Sequence, residues 1–561
     1  MNRSLGLLLV GGTLFGCDAT LQAGRSSPGG DGTSDSSDEA PTSSGTTTEE
    51  LKSQCDALGD AIVPGPAPLR RLTRAQYNKT VSDLAGDDSS PGDEFPPEGR
   101  SLGFHGAAAD QSIAGLLAEA YMAAAESVAD HATSDLDGLL GCDPAEESCV
   151  RDFVSEFGAR AYRRPMEPAE IDRLQGVFEW GRENLDVTEG IQMVLEVLLQ
   201  SPDFLYRPEF GEEEVEEGVM RLSSYEMATR LSYLFTGSMP DEELVRAAAA
   251  DELNSPEEIE AQTARLLALP GAREMLLDFH SQWLDLEAVE HIERDSSVYQ
   301  GYTAEIPHLF RQETEAFVEE VLFEADGSLR TLLTAPFTMA NDELSNFYGM
   351  NAPGTDEFVR VTTSEKRAGV LTHGGILAHH AQALQTSPVH RGLFIRQSLL
   401  CGVVSPPPAD LEIVPPDLDP SLTTRERFAA HSEEPGCRSC HEYMDPLGLG
   451  FEHFDSVGRY REDENGIPID ASGELIATDI DGEFYGAVEL GEKLSGSAQV
   501  ATCMTKLWLR YAQGRSENPE DACTLAQVGE SFTESDLNIP SVVTALAQSD
   551  TFMYREKVVL P

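Results

Sequence analysis

The sequence predicts a mainly α protein, a multi-segment helical bundle assembly with a small hairpin or loop region near 465–485. Three observations carry this. Apolar residues recur at helical spacing through most of the chain after Pro66. Helix-start chemistry precedes several of these stretches. Strand-like texture, short apolar runs broken by Gly and Asp, is confined to Ile467–Phe484. With 561 residues, 40% of them hydrophobic, the chain can bury several cores, and length alone suggests three or four domains.

The elements follow in order. Arg3 and the apolar run Leu5–Leu14 make an export signal, too short to span a bilayer as a stable helix. It ends in Leu14-Phe15-Gly16-Cys17, which resembles the lipobox of bacterial lipoproteins. Residues 1–17 are therefore expected to be removed up to Cys17, which is acylated; ordinary secretion is the alternative. Gly24–Glu50 holds one apolar residue, Ala40, and cannot offset its ordering entropy. Residues 18–55 are read as a flexible tether.

The N-terminal helical domain is placed at 66–140. Thr73 and Gln76 have capping-box spacing, and Leu72 and Tyr77 have the spacing of a hydrophobic staple. The second domain, 142–212, contains the helix start Pro168-Ala169-Glu170 and the apolar helix Val187–Leu199. The central domain, 220–350, opens with the same device: Ser223 with Glu226, Leu222 with Met227. Ser82 with Ser232 and Leu84 with Leu234 fall at the same offset. A weak internal repeat and shared capping chemistry both explain this. A new texture begins near Arg367, in a domain placed at 366–465, where Ser405-Pro406-Pro407-Pro408 forms a stiff connector. The C-terminal helical domain covers 480–556.

The net charge of −59 excludes nucleic acid as a partner and disfavours a basic membrane-surface mode. Contact with a membrane is expected through the N-terminal lipid only. The cell envelope, lipid-anchored, is the expected location.

Cys437-Arg438-Ser439-Cys440-His441 is C-x-x-C-H, the attachment motif of c-type haem in an exported chain. Thiols three residues apart reach the two vinyl groups of one porphyrin, and the adjacent His441 can place a nitrogen under the iron. This makes 366–465 a cytochrome-c-like segment with covalent haem c as cofactor: Cys437, Cys440 and His441 bind it, and His441 binds its metal. A Cys437–Cys440 disulfide and half of another metal site are the alternatives. For the sixth position, Met444 is a poor choice, being three residues from His441 on the same haem face. His431, His453, His373, His379, His380 and His390 lie in the same region, and an open position is equally consistent. Arg459 and Arg461 are candidates for the haem propionates or for ordinary salt bridges.

Six further cysteines, Cys55, Cys142, Cys149, Cys401, Cys503 and Cys523, suit a disulfide framework. Cys142–Cys149 could close a short loop, and Cys503–Cys523 could tie two helices.

A family resemblance now becomes usable. Cys437 to Gly448, then Phe451-Glu452, Phe454-Asp455 and Gly458-Arg459-Tyr460-Arg461, resemble the planctomycete-type cytochrome C domain. So do Arg367-Ala368-Gly369-Val370-Leu371 and Ser387-Pro388-Val389-His390-Arg391-Gly392. Arg71–Asn78, Ala161–Pro165 with Ser201–Arg207, Leu222–Tyr233 and Tyr511–Arg515 are similar to its companion domains. The resemblance implies a multi-domain, mostly helical exported protein, with Asp445-Pro446 and Gly448 shaping a turn over the haem edge.

The expected function is a lipid-anchored haem-c protein with an electron-transfer or haem-redox role. A haem-dependent oxidoreductase would need an open iron position. The alternative is a redox-silent surface lipoprotein scaffold that binds a polymer or partner protein, with Cys437 and Cys440 as a disulfide. Substrate and redox partner are not encoded in any motif found.

Overall fold

Thr73 and Gln76 form the expected capping box: Gln76 N donates to Thr73 Oγ1 and Thr73 N to Gln76 Oε1, both at 3.2 Å. This opens helix Arg74–Ala85. Ser223 and Glu226 do the same for helix Ser224–Phe235. The computed structural model describes residues 46–59, 61–363, 365–404, 416–432 and 435–558, all within one unit that spans Pro41–Pro561. The signal segment 1–17 with Cys17, most of the tether, and Pro406–Pro408 lie outside the described residues. Twenty-five α-helices and a few short ladders make up the described chain, so it is mainly α. Among the described residues no helix is long and apolar enough to cross a membrane.

The capping match extends to strands. Arg70–Arg71, just before the first capped helix, pairs antiparallel with Tyr206–Arg207. Val219–Arg221, just before the second, pairs with Tyr554–Glu556. The registers agree: Arg71 faces Tyr206, and Arg221 faces Tyr554. Leu72 N donates to Leu205 O at 2.8 Å, and Leu222 N to Met553 O at 3.1 Å. Each closing strand follows a one-turn helix of similar sequence, Pro202–Leu205 and Asp550–Met553. A further pair coincides. Arg164 forks Glu170 six residues on, with both bonds at 2.9 Å, and Arg515 forks Asp521 six residues on, at 2.6 and 2.7 Å. Capping chemistry requires none of this, so the chain carries a structural repeat. Its first copy runs from Arg70 to Arg207. Its second runs from Val219 to Glu556 and is much the longer.

The cores follow the repeat in the main, although Tyr233 of the second copy packs in the first core and Phe104 of the first copy in the second. Leu72, Tyr77 and Val81 pack with Phe178, Val194, Leu198 and Phe204 in one core. Leu222, Met227, Phe279, Phe310, Leu447, Trp508 and Phe552 belong to the other. Burying such side chains stabilises by about 1.5–3 kcal/mol each before entropy is counted.

Two expectations need correction. The tether ends early: Thr47 and Glu50 form a capping box, helix Thr48–Leu58 follows, and Leu51 packs against Leu509, Ala522 and Leu525. Cys503 pairs with Cys401, not Cys523; Cys523 pairs with Cys55, 468 residues away, while Cys142–Cys149 forms as expected. Cys503 faces the 395–401 turn, which removes it from reach of Cys523. The 465–485 region holds two ladders: Asp463–Glu464 with Ile467–Pro468, and Ser472–Leu475 with Gly482–Tyr485.

Candidate functional site

Cys437, Cys440 and His441 stand on helix Pro435–Leu449. Cys437 is buried and Cys440 half-buried, and both lie outside the three disulfides. His441 and Asp445 are one helical turn apart, which puts them on one face. Both Asp445 carboxylate oxygens lie 3.0 Å from His441 Nδ1. A carboxylate at Nδ1 places the proton there and makes the opposite ring nitrogen the stronger base. Asp445 is itself 5% exposed. Its signal in the sequence was its spacing, an acid four residues after the motif histidine.

The helix is fixed by a crossing at two glycines. A Cβ on Gly392 would sit 1.9 Å from Met444 O, and one on Gly448 would sit 1.8 Å from Pro388 O. Helix Pro388–Phe394 therefore lies backbone to backbone against Pro435–Leu449. This corrects the expected role of Asp445-Pro446 and Gly448. They lie within the helix rather than in a turn, and Gly448 serves the crossing. Gly473 plays a similar part, since a Cβ there would meet Pro446 O at 2.3 Å.

Arg391, on the crossing helix, is 2% exposed. It donates to Phe451 O at 3.1 Å, Phe454 O at 2.9 Å and Asp455 O at 2.8 Å, fixing the chain that leaves the motif helix. Burial pushes its guanidinium down to about 10, against the pull of Glu452, so it remains charged at neutral pH. Glu452 accepts from Thr386 Oγ1 at 2.8 Å and Arg461 Nη2 at 2.9 Å. Sequence reasoning noted Arg391 only within the resemblance; a buried carbonyl clamp leaves no local pattern.

The other sequence candidates are dispersed. Arg461 is taken up by Glu452, and Arg459 donates to Asp455 Oδ2 at 3.1 Å and Gln300 O at 3.0 Å. Both make ordinary salt bridges. His373 lies 3.0 Å from Thr314 Oγ1, in a buried network with Thr338 and Glu313. There Tyr348 donates to Glu313 Oε2 at 2.5 Å. Burial, aided by Arg367, pushes His373 down to about 3. His379 meets Asp285 at 3.4 Å, His380 stacks on Phe394, and His390 is exposed. His453 Nδ1 donates to Arg461 O at 3.0 Å. Met444 is 5% exposed. His431 lies on helix Thr424–Ser432, with its side chain outside the described set. Among the described residues, no cluster of three or more His, Cys, Asp or Glu could hold a bare metal ion.

Fold and site thus define a mainly helical, disulfide-tied protein built around a Cys-x-x-Cys-His helix, and three disulfides fit an exported protein. Five family models match successive segments, each described as a protein of unknown function. They are DUF1587 over 70–134, DUF1595 over 149–209, DUF1592 over 222–350, DUF1588 over 367–464 and DUF1585 over 481–552. The chain belongs to the planctomycete cytochrome C-type domain family with its companion domains. No curated protein and no solved structure matches it.

Proposed function

We propose that the protein is an exported c-type haem protein of the cell envelope, anchored through a lipid on Cys17, with an electron-transfer or haem-redox role. One observation carries this reading. Six of the eight described cysteines are consumed in disulfides, and the two left as thiols are Cys437 and Cys440, beside a histidine whose Nδ1 is held by a carboxylate. That donor set fits haem c: two thioether sites and a neutral imidazole oriented through its second nitrogen. Bound there, the group supplies one-electron iron chemistry.

The chain's own residues do the positioning. Asp445 fixes the tautomer and ring plane of His441. The Gly392–Gly448 crossing holds the motif helix in place, and Arg391 secures its exit.

The test is expression of the full chain in a host with haem-maturation machinery. A Soret band and a mass gain on the Cys437–Cys440 peptide are expected, with His441→Ala keeping the mass gain but altering the spectrum. No Soret band and no mass gain would overturn the proposal. A Cys437–Cys440 disulfide in the peptide map would support the redox-silent scaffold instead.

A further inference from the structure

Arg207 closes the first copy of the repeat, and its side chain is stranded. It is 8% exposed, and its Nε has no hydrogen-bond partner. Among the described residues no carboxylate forms an ion pair with it; its guanidinium stands 5.0 Å from the Tyr233 ring centre. The fold does not require this isolation. The counterpart in the second copy, Arg555, donates from Nε to Glu556 O at 2.9 Å. Glu209 attracts Arg207 through space, but both oxygens of that carboxylate are bound by Arg230, so Arg207 is short of counter-charge, which is costly for a buried cation.

Arg207 lines a cavity of about 320 Å³, formed where the two copies meet. Two more arginines share its wall. Arg230 is matched, forking Glu209 at 2.7 and 2.6 Å. Arg70 is held by the carbonyls of Ala512 and Tyr511, and among the described residues it makes no ion pair. The remaining acids of the wall are engaged elsewhere. Glu274 is bound by Lys79 at 2.6 Å, Asp278 accepts from Tyr511 and Gln282, and Glu98 accepts from Arg74 N. Three guanidinium groups act on Glu209, while Glu98, Glu274 and Asp278 lie elsewhere on the same wall. Leu234, Met275 and Phe552 supply an apolar flank.

We propose that this cavity binds a small organic monocarboxylate, forked by Arg207, with its apolar body along Leu234, Met275 and Phe552. A guanidinium fork matches a carboxylate in plane and spacing. The volume lies at the small end of ligand sites. Glu209 at the same wall repels a second negative charge, which favours a monoanion over a phosphate dianion.

The test is calorimetric titration of the full chain at fixed ionic strength with benzoate and hexanoate, and with benzamide and inorganic phosphate as comparators. Saturable binding of at least one carboxylate is expected, with benzamide and phosphate at least tenfold weaker. Arg207→Gln should lose at least tenfold in carboxylate affinity. Ala67→Phe, on the loop rim of the cavity, should block binding while leaving the arginines in place. Equal binding of benzoate and benzamide, no binding of either carboxylate, or full affinity in both variants would overturn the proposal.

Discussion

Gly448→Ala is expected to destabilise the protein, although helix propensity alone favours the change by about 1 kcal/mol. The new methyl would lie 1.8 Å from Pro388 O, and real Cβ atoms essentially never approach within 3.0 Å. The two helices must separate by about 1.2 Å, and the obstacle is backbone, which no rotamer change relieves. A gap of that size forfeits roughly half of the dispersion energy across the contact. Overpacking of a tight core costs about 1–3 kcal/mol, and a backbone clash belongs at or above the upper end. Gly176→Ala is the control. It also sits inside a helix, Pro168–Asn184, but is exposed with nothing within 4 Å of its Cβ position. That change should stabilise by about 0.5–1 kcal/mol. Urea unfolding followed by circular dichroism gives both midpoints. The two variants should move in opposite directions; a Gly448→Ala midpoint at or above wild type would refute the backbone-contact argument.

In the haem-loaded protein proposed above, Asp445→Asn should leave the thioether bonds intact and raise the midpoint potential in spectroelectrochemistry, because Nδ1 loses its anionic acceptor; an unchanged potential refutes that role. His280 and His373 are buried, which pushes them down to about 4 and about 3. The unfolded chain therefore takes up protons that the native state refuses as pH falls below about 6.5, and each histidine withdraws up to about 1.4 kcal/mol of stability per pH unit. Their imidazole NMR signals should show no titration down to pH 5, and a midpoint near 6.5 for either would contradict this. Cys55→Ser should free helix Thr48–Leu58, giving protease cleavage there while the rest of the chain survives; resistance equal to wild type would show that Leu51 packing suffices.

What the sequence disclosed was local. The boxes at Thr73–Gln76 and Ser223–Glu226 were legible because both partners lie within one turn, and the Cys437–His441 motif because its chemistry is contiguous. Most of the failures were of long range. Cys503 and Cys523 looked like natural partners at 20 residues apart, but their partners lie 102 and 468 residues away, set by how the helices pack. The end of the tether was misplaced because polar Thr47–Glu50 is both a disordered-type composition and a good helix start. The repeat was half visible, its strand pairing hidden because neither short strand has a pattern of its own. The stranded Arg207 could not be found at all, since isolation is a property of surroundings.

The wide separation of the strands that close the second copy has a consequence for biogenesis. Both strands of the first copy are present once Arg207 has emerged, so its ladder can zip while the rest is still being made. The second opens at Val219 and waits for Tyr554–Glu556, the last described strand of the chain. Everything between, including the segment bearing Cys437 and Cys440, is delivered into a unit that has not yet shut. Strand Tyr554–Glu556 thus acts as a clasp, and the covalent attachment proposed for those two thiols would be least hindered before it fastens.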